Sequence, residues 1–142
     1  MRAAMVTSVI DAAALVAEVA RGTNGATALF LGTVRSSNDG REVTGIEYSA
    51  YDEMAVTEME AILEEAARKF DITEGAIEHR TGALSIGDAS ICVAVAAPHR
   101  APAMNALRFI VDETKSRAPI WKLEHYADGT REWVGATKDA AT

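Results

Sequence analysis

Three cations lie close together in the ten residues that run from Glu113 to Lys122. They are Lys115, Arg117 and Lys122, and they surround a single proline, Pro119, in a chain whose formal net charge is −7. An acidic protein has no general reason to concentrate positive charge in one short segment. Because a local positive field attracts anions, this segment predicts a site for an anionic ligand.

Each of these cations has a structural interpretation beside the functional one. A lysine such as Lys115 is common in the last turn of a helix, where its charge favours the helix dipole, and the same holds for Arg117. Partial burial and neighbouring positive charge would instead favour the neutral amine of Lys115, which can act as a base or a nucleophile. Lys122 follows Trp121 on a predicted strand and is either a solvated lysine or part of the same site. The sequence leaves these alternatives open.

Two further basic places lie elsewhere in the chain. His99 and Arg100 come directly before a predicted helix, where free N–H groups and the positive end of the helix dipole favour anions. The guanidinium group of Arg100 suits a phosphate or a carboxylate. Arg35 ends an apolar run and precedes a polar loop. A surface or capping pair and a strand-end charge are the structural alternatives for these residues.

Distance along the predicted helix limits how these residues can act together. Arg100 and Lys115 are fifteen residues apart, which separates them by about 20 Å along a helix. One small ligand cannot easily reach both within one chain. Either there are two sites, or one site is shared by two subunits, with His99 and Arg100 supplied by the neighbour. We favour the shared site as a hypothesis.

The elements that must position these residues follow the order αββαββαββ. This order favours an α+β fold, with a mixed or antiparallel sheet, two long helices and a short N-terminal helix. Pro119 ends the last helix, because the residue before a proline disfavours helical geometry. Helices are predicted over Asp11–Ala20, Asp52–Phe70 and Pro102–Arg117, strands over Ala26–Arg35, Val43–Tyr51, Ala76–Leu84, Ser90–Ala97, Ile120–Tyr126 and Thr130–Val134, and a turn over Ser36–Arg41.

Size and composition exclude several classes of protein. The 142 residues predict a single domain, 1–142, with a frayed tail at about 135–142. A sequence pI of about 4.9 argues against nucleic acid and against an anionic membrane surface as partners. No apolar stretch approaches the ~20 residues that span a bilayer.

The single cysteine, Cys92, lies inside an apolar run and predicts a small buried hydrophobe rather than a reactive thiol. One cysteine forms no internal disulfide, so we expect a cytoplasmic protein. The three histidines lack metal-ligand spacing, and we predict no metal and no bound cofactor. Any sulfur chemistry would therefore use sulfur that a partner brings.

The same residues resemble a known family. The specific part is Lys115 with the block Arg117-Ala118-Pro119-Ile120-Trp121-Lys122, together with the pair His99-Arg100. Supporting matches are Gly32-Thr33-Val34-Arg35, Ile46-Glu47-Tyr48, His79-Arg80 and Trp133-Val134. In this order and spacing they look like the large, catalytic subunit of molybdopterin synthase, the MoaE family. The resemblance runs from about Ala26 to Val134, and the segment before Ala26 matches poorly.

The resemblance implies an α/β-hammerhead fold and an enzyme, a sulfurtransferase of molybdenum cofactor biosynthesis. Members convert cyclic pyranopterin monophosphate to molybdopterin by inserting two sulfurs as a dithiolene. The sulfur arrives as a thiocarboxylate on the C-terminal glycine of a small ubiquitin-like subunit, whose tail enters a pocket of the large subunit. The large subunits form a central homodimer with one small subunit at each end, a heterotetramer.

The resemblance also implies roles for particular residues. Lys115 would be the direct participant and Lys122 would assist it, while Arg35, His99 and Arg100 would hold the phosphate and the pterin. Arg117 is a further candidate for substrate binding. Arg131 or Lys138 would replace a basic residue that the family sometimes has after the Trp-Val pair. Two other functions stay open: a non-catalytic module that binds a ubiquitin-like protein or a phosphorylated metabolite, and a lysine-dependent lyase or aldolase.

Overall fold

A computed structural model describes residues 1–134 and contains three helices and nine strands within them. The helices are α1 (Ala12–Val19), α2 (Asp52–Lys69) and α3 (Arg100–Arg117). The strands are β1 (Arg2–Val6), β2 (Ala26–Thr33), β3 (Ser37–Asn38), β4 (Arg41–Ala50), β5 (Glu74–Arg80), β6 (Gly82–Ser85), β7 (Ala89–Ala97), β8 (Ile120–Tyr126) and β9 (Arg131–Val134). The predicted frayed tail and Lys138 lie outside the described residues.

The strands form two sheets. The first has the order β1-β5-β7-β2, in which β1 pairs with β5 in parallel and the other neighbours are antiparallel. The second is antiparallel and is built around β4, with β3 and β6 along one edge, β8 along the other, and β9 beyond β8. The predicted α+β class with mixed and antiparallel pairing is confirmed.

Strand β7 explains how the first sheet holds the core together. Its side chains alternate: Ile91, Val93 and Val95 pack in the main cluster with α2 and α3, while Cys92, Ala94 and Ala96 pack in a second cluster with α1. A strand that is covered on both faces reads as a continuous apolar run. This is the pattern that the sequence presents from Ser90 to Ala97.

The predicted apolar face of the first long helix is confirmed. Ala55, Met59, Ile62, Leu63 and Ala66 of α2 are buried, and α2 packs against α3. Phe70, the last member of the predicted face, lies at the C-cap and is partly buried beside Phe109. Both long helices therefore hold their orientation through apolar side chains at helical spacing.

Three details of the predicted elements are wrong. The strand predicted over Ala76–Leu84 is two strands, because Gly82 has φ +98° and turns the chain out of the first sheet and into the second. A residue with a side chain rarely adopts that φ. The predicted turn at Ser36–Arg41 also contains the short strand β3. Strand β1 was not predicted; it depends on parallel pairing with β5, about seventy residues later.

The second sheet and helix α3 meet at a sharp corner. Helix α3 ends at Arg117, Ala118 is buried with an extended backbone, and Pro119 leads into β8. Lys115 and Lys122 lie on the two sides of this corner. None of the helices within residues 1–134 is long and apolar enough to cross a membrane.

Candidate active site

A cavity opens at this corner, where the two sheets and the end of α3 meet. It measures about 570 Å³ including its mouth. Its walls come from five strands and one helix: Tyr48, His79, Ser90, Ile91, Thr114, Lys115, Ala118, Ile120, Trp121, Lys122 and Val134. Because the lining residues come from segments far apart in the sequence, only the tertiary fold builds this cavity.

A second, more polar depression continues the first. It adds Arg35 from the loop after β2 and Asn38 from β3, and it shares Tyr48, Lys115 and Lys122 with the first cavity. We call the two together the lysine cleft. The cleft brings together Arg35, Lys115 and Lys122, three of the seven residues predicted for the site.

The amine of Lys115 is half-buried and has no salt-bridge partner among residues 1–134. Burial lowers the pKa of Lys115, and the charges of Lys122 and Arg35 act in the same direction, while Asp112 opposes them. Burial and the two positive charges disfavour the ammonium form. Lys115 is therefore neutral more often than a free lysine at the same pH.

Lys122 has the opposite environment, because a carboxylate holds its charge. Its Nζ lies 3.2 Å from Oε2 of Glu124, which is only 2% exposed. Oε1 of Glu124 accepts hydrogen bonds from Asn38 (2.7 Å) and from the hydroxyl of Tyr126 (2.8 Å). Burial alone would raise the pKa of Glu124, but these two hydrogen bonds and the charge of Lys122 outweigh it and hold the pKa below its usual range.

Sequence reasoning did not select Glu124, although a signal was present. Lys122, Glu124 and Tyr126 alternate along β8, so their side chains share one face of the strand. A lysine, a glutamate and a tyrosine at that spacing beside a candidate catalytic lysine indicate a polar network. Asn38, the fourth member, comes from a distant turn and has no comparable signal.

His79 is a second residue that the site analysis of the sequence passed over. Its ring lines the cleft, is 7% exposed, and lies edge-on to the ring of Tyr48 with centroids 5.0 Å apart. Nδ1 lies 3.0 Å from the carbonyl oxygen of Arg80, so Nδ1 carries the proton and donates. Burial lowers the pKa of His79 to about 4; the hydrogen bond to Arg80 opposes this change and the charge of Lys115 adds to it.

Arg117, predicted to bind substrate, does not line the cleft. Its guanidinium group contacts three carboxylates, those of Glu58 (2.7 Å), Glu65 (2.7 Å) and Glu113 (3.2 Å). Glu58 and Glu65 belong to α2, so Arg117 ties the end of α3 to the neighbouring helix. These contacts occupy the group that would have to bind an anion.

Three more predicted residues lie away from Lys115 within one chain. His99 is the N-cap of α3 and Arg100 its first residue, both exposed at the helix end opposite to Lys115. The eighteen residues of α3 span about 27 Å. Arg131 is exposed on β9 opposite His125 and does not line the lysine cleft.

The prediction for Cys92 is confirmed. Its side chain is fully buried. Burial raises the pKa of the Cys92 thiol to about 11, with the charge of Glu78 in the same direction. A thiol of this kind is inert as a nucleophile. Within residues 1–134 no group of three histidine, cysteine, aspartate or glutamate side chains is arranged to hold a metal ion.

The fold and the cleft define a class of protein before any comparison. An α+β fold that places an arginine and two lysines in different electrostatic states around one cleft is equipped to transform an anionic substrate. Its one cysteine is inert, so the cleft has no sulfur of its own to offer.

Comparison with known proteins identifies the family within this class. The family model described as "MoaE protein" matches residues 5–117. The molybdopterin synthase catalytic subunit of Pyrococcus abyssi is 46% identical over 114 residues, covering 80% of this chain and 77% of that protein. That of Culex quinquefasciatus is 42% identical over 118 residues, covering 81% and 75%. The chain therefore belongs to the MoaE family, the catalytic subunits of molybdopterin synthase, which act in molybdenum cofactor biosynthesis.

Solved structures agree with this assignment. Molybdopterin synthase from Staphylococcus aureus is similar with a TM-score of 0.88 and 32% identity, over 93% of this chain and 96% of that chain. A molybdopterin biosynthesis MoaE protein from Burkholderia ambifaria gives a TM-score of 0.79 and 36% identity, over 99% and 94%. The fold class and the family expected from the sequence are both confirmed.

The family model and the sequence resemblance cover different parts of the chain. The model begins at residue 5, although the segment before Ala26 was expected to match poorly, and it ends at Arg117, before Pro119 and Lys122. The early match covers part of the core architecture, because β1 is an edge strand of the first sheet and α1 packs on that sheet.

Proposed function

We propose that the lysine cleft is where this chain transfers sulfur from the C-terminal thiocarboxylate of a small ubiquitin-like subunit to cyclic pyranopterin monophosphate. The observation that carries the proposal is the convergence of Arg35, Lys115 and Lys122 on one cleft. Both proposed ligands are anions, and an anion gains most from several cations in a partly enclosed site. A protein complex of subunits 1 and 2 of molybdopterin-converting factor from Helicobacter pylori, with a TM-score of 0.75 and 21% identity, has the same fold.

The two lysines take different parts in this chemistry. The carboxylate of Glu124 lies against the amine of Lys122, whereas burial and like charges favour the neutral form of Lys115. An amine whose neutral form is favoured is suited to proton transfer near neutral pH. Lys115 is the group that accepts or donates a proton near the attacked pterin carbon, and Lys122 is the fixed positive charge.

Negative charge develops during each sulfur transfer. The thiocarboxylate sulfur bonds to the pterin carbon as a carbon–oxygen bond at that carbon breaks and the oxygen leaves as water. Water then cleaves the bond between that sulfur and the acyl carbon, so the small subunit leaves as a carboxylate. The acyl carbon passes through a tetrahedral oxyanion. A positioned cation such as Lys122 stabilises such an oxyanion. In comparable sites a single hydrogen-bond donor lowers the activation barrier by about 3 kcal/mol.

Arg35 is suited to the phosphate of the pterin. It is exposed at the mouth of the cleft, and none of the acidic side chains within residues 1–134 forms a salt bridge with it. Its planar guanidinium group is available for a bidentate contact with phosphate oxygens. The cleft then takes the ligand with its ring inside and its phosphate at the mouth.

A homodimer would complete the site. Strand β2 lies at the edge of the first sheet, with Leu29 (37%) and Leu31 (40%) exposed. It starts beside Pro98, whose carbonyl oxygen accepts from the N–H of Gly25, and ends two residues before Arg35. Eight residues of strand span about 26 Å.

The length of strand β2 is close to the length of helix α3. If two copies pair antiparallel along β2, the start of one β2 lies beside the end of the other. His99 and Arg100 of one subunit then approach Arg35 and Lys115 of the other, and a ligand could contact all four. This geometry supports the shared site without moving any residue within a subunit. A cytoplasmic location stays part of the same proposal.

Reconstitution tests the function. Purified chain, thiocarboxylated small subunit and cyclic pyranopterin monophosphate are combined, and product is followed after oxidation to its fluorescent derivative. Lys115→Ala is expected to abolish turnover while leaving the fold and the oligomer intact, and Lys69→Ala, a lysine outside the cleft, is the matched control. Turnover by Lys115→Ala would remove Lys115 from the central role. Binding of both ligands without turnover by the unmodified chain would favour a non-catalytic module.

Mixed dimers test the shared site. A Lys115→Ala subunit combined with an Arg100→Ala subunit retains one intact site if each site draws on both subunits. We expect partial activity from the mixture and none from either variant alone. A mixture as inactive as the separate variants would contradict the shared site.

A further inference from the structure

One group in the lysine cleft has no part in the chemistry described so far. His79 is only 7% exposed, and buried polar side chains are normally fully hydrogen-bonded. Nδ1 has its partner in the carbonyl oxygen of Arg80. Nε2 has none among the residues that the structure describes.

Nε2 of His79 is not fully enclosed by the protein. The unpaired side-chain atoms that are fully enclosed within residues 1–134 are Asn24 Oδ1, Arg80 Nε and Thr114 Oγ1. Nε2 of His79 is not one of them, so it remains open to the cleft that its ring lines. With the proton on Nδ1, this atom is an acceptor and cannot donate.

The ring has little freedom to turn away. The hydrogen bond to Arg80 and the edge-on contact with Tyr48 hold it from two sides. His79 also lies on β5, directly opposite Ile91 of the central strand β7. A neutral acceptor is therefore fixed on the inner wall of a cleft that also holds Arg35, Lys115 and Lys122.

Lys115 supplies the matching donor. It lines the same cavity as His79, it is close enough for its charge to lower the pKa of the imidazole, and it has no carboxylate partner within residues 1–134. The two nitrogens are not hydrogen-bonded in this structure. We propose that His79 is a positioning residue: when the Lys115 side chain turns towards the ring, Nε2 accepts a hydrogen bond from its amine and holds that amine in line with the ligand. This inference rests on the proposed function of the cleft, and names a further residue of the same site.

The hydrogen bond needs a neutral imidazole, which the surroundings favour. The titratable and charged groups that face His79 or Lys115 come from β4, α3, β8 and the loop after β2: Tyr48, Asp112, Lys122, Glu124 and Arg35. The cations among them disfavour a protonated ring. The bond also favours the charged form of Lys115, because an ammonium donates more strongly than an amine.

Three substitutions separate this role from a structural one. His79→Asn keeps an amide near Nδ1 that can donate to the carbonyl of Arg80, but it has no atom at the position of Nε2. His79→Gln carries an amide near the position of Nε2 and so restores an acceptor. His79→Phe fills the space with neither. Thermal unfolding and binding of the small subunit show whether each variant is folded.

The direct readout is the titration of Lys115, followed by NMR of the lysine Cε carbons. The chain has four lysines, Lys69, Lys115, Lys122 and Lys138, and Lys115→Ala assigns the signal. We expect the Lys115 midpoint to fall by about one pH unit in His79→Asn and His79→Phe and to stay within a few tenths in His79→Gln. The limb of the pH–turnover profile that reports Lys115 should move by the same amount.

The outcomes are distinct. An unchanged Lys115 midpoint in folded His79→Asn, or an equal shift in His79→Gln and His79→Phe, would overturn the positioning role even if turnover falls. The midpoint is measured without substrate, so it does not depend on the proposed function. If Lys115→Ala retains turnover, the proposed function fails and the titration still decides whether His79 contacts Lys115.

Discussion

Lys122 and Glu124 form an ion pair of 3.2 Å on one face of β8, and the carboxylate of this pair is almost completely buried. Lys115, on the other side of the corner at Pro119, has no such partner within residues 1–134. The cleft therefore contains two lysines in different environments, one beside a carboxylate and one without a paired counter-charge among the described residues. It also leads to a first prediction.

Glu124→Gln should weaken both the fold and the site. The amide can still accept from Asn38 and Tyr126, but the charge that balances Lys122 is lost in a buried position. We expect the free energy of unfolding to fall by about 1–3 kcal/mol and turnover to fall with it. Urea denaturation and the reconstitution assay measure the two effects. Glu132→Gln, an exposed carboxylate on β9, is the control, and an equal loss in both variants would contradict the prediction.

The stability of the chain should depend on pH through His79. Its folded pKa of about 4 lies below the unfolded value of about 6.5, so the unfolded chain binds a proton first as the pH falls. The free energy of unfolding therefore decreases from pH 6.5 towards pH 4, by about 3 kcal/mol from this group. Urea denaturation of the wild type and of His79→Gln at several pH values tests this.

The window from pH 6.5 to pH 5 isolates the histidine. The carboxylates with lowered pKa, among them Glu18 and Glu124, remain ionised in the folded chain there and are only starting to be protonated in the unfolded chain. His79→Gln should lose most of the pH dependence in this window. If the unfolding free energy of His79→Gln changes with pH as steeply as that of the wild type, His79 is not the source of the pH dependence.

Thr114→Val should not destabilise the protein. Thr114 is 3% exposed, and its hydroxyl oxygen has no hydrogen-bond partner among the described residues. Valine has nearly the same shape and removes an unpaired polar atom, so we expect a gain of up to about 1 kcal/mol in the free energy of unfolding. Thr114→Ala, which leaves a void instead, should lose stability. A clear loss in Thr114→Val would mean that the hydroxyl is paired.

Arg117→Ala should affect stability rather than substrate binding. The substitution leaves Glu58, Glu65 and Glu113 close together without their common cation, so the free energy of unfolding should fall and the loss should shrink with added salt. Arg108→Ala, which breaks an exposed pair with Asp112, is the matched control and should change stability by no more than about 0.5 kcal/mol. A raised KM for the pterin with unchanged stability would restore the substrate role of Arg117.

Local patterns were sufficient for much of the fold and for part of the site. The helical spacing of Ala55 to Ala66, the continuous apolar run that became β7, and the proline that separates Lys115 from Lys122 are all visible in short windows. Such features depend on neighbours along the chain. The buried state of Cys92 was predictable for the same reason.

The site needed information that no short window contains. The α2 partners of Arg117, the hydrogen bond from Asn38 to Glu124, the pairing of β1 with β5, and the cavity that His79 and Lys115 both line all join residues far apart in sequence. The sequence by itself determined the α+β class, the helices and the supply of basic residues. Only the tertiary structure decided which cation is neutralised, which is left unpaired, and which histidine lies beside it, because these depend on distances between separate elements, and burial and charge act through those distances.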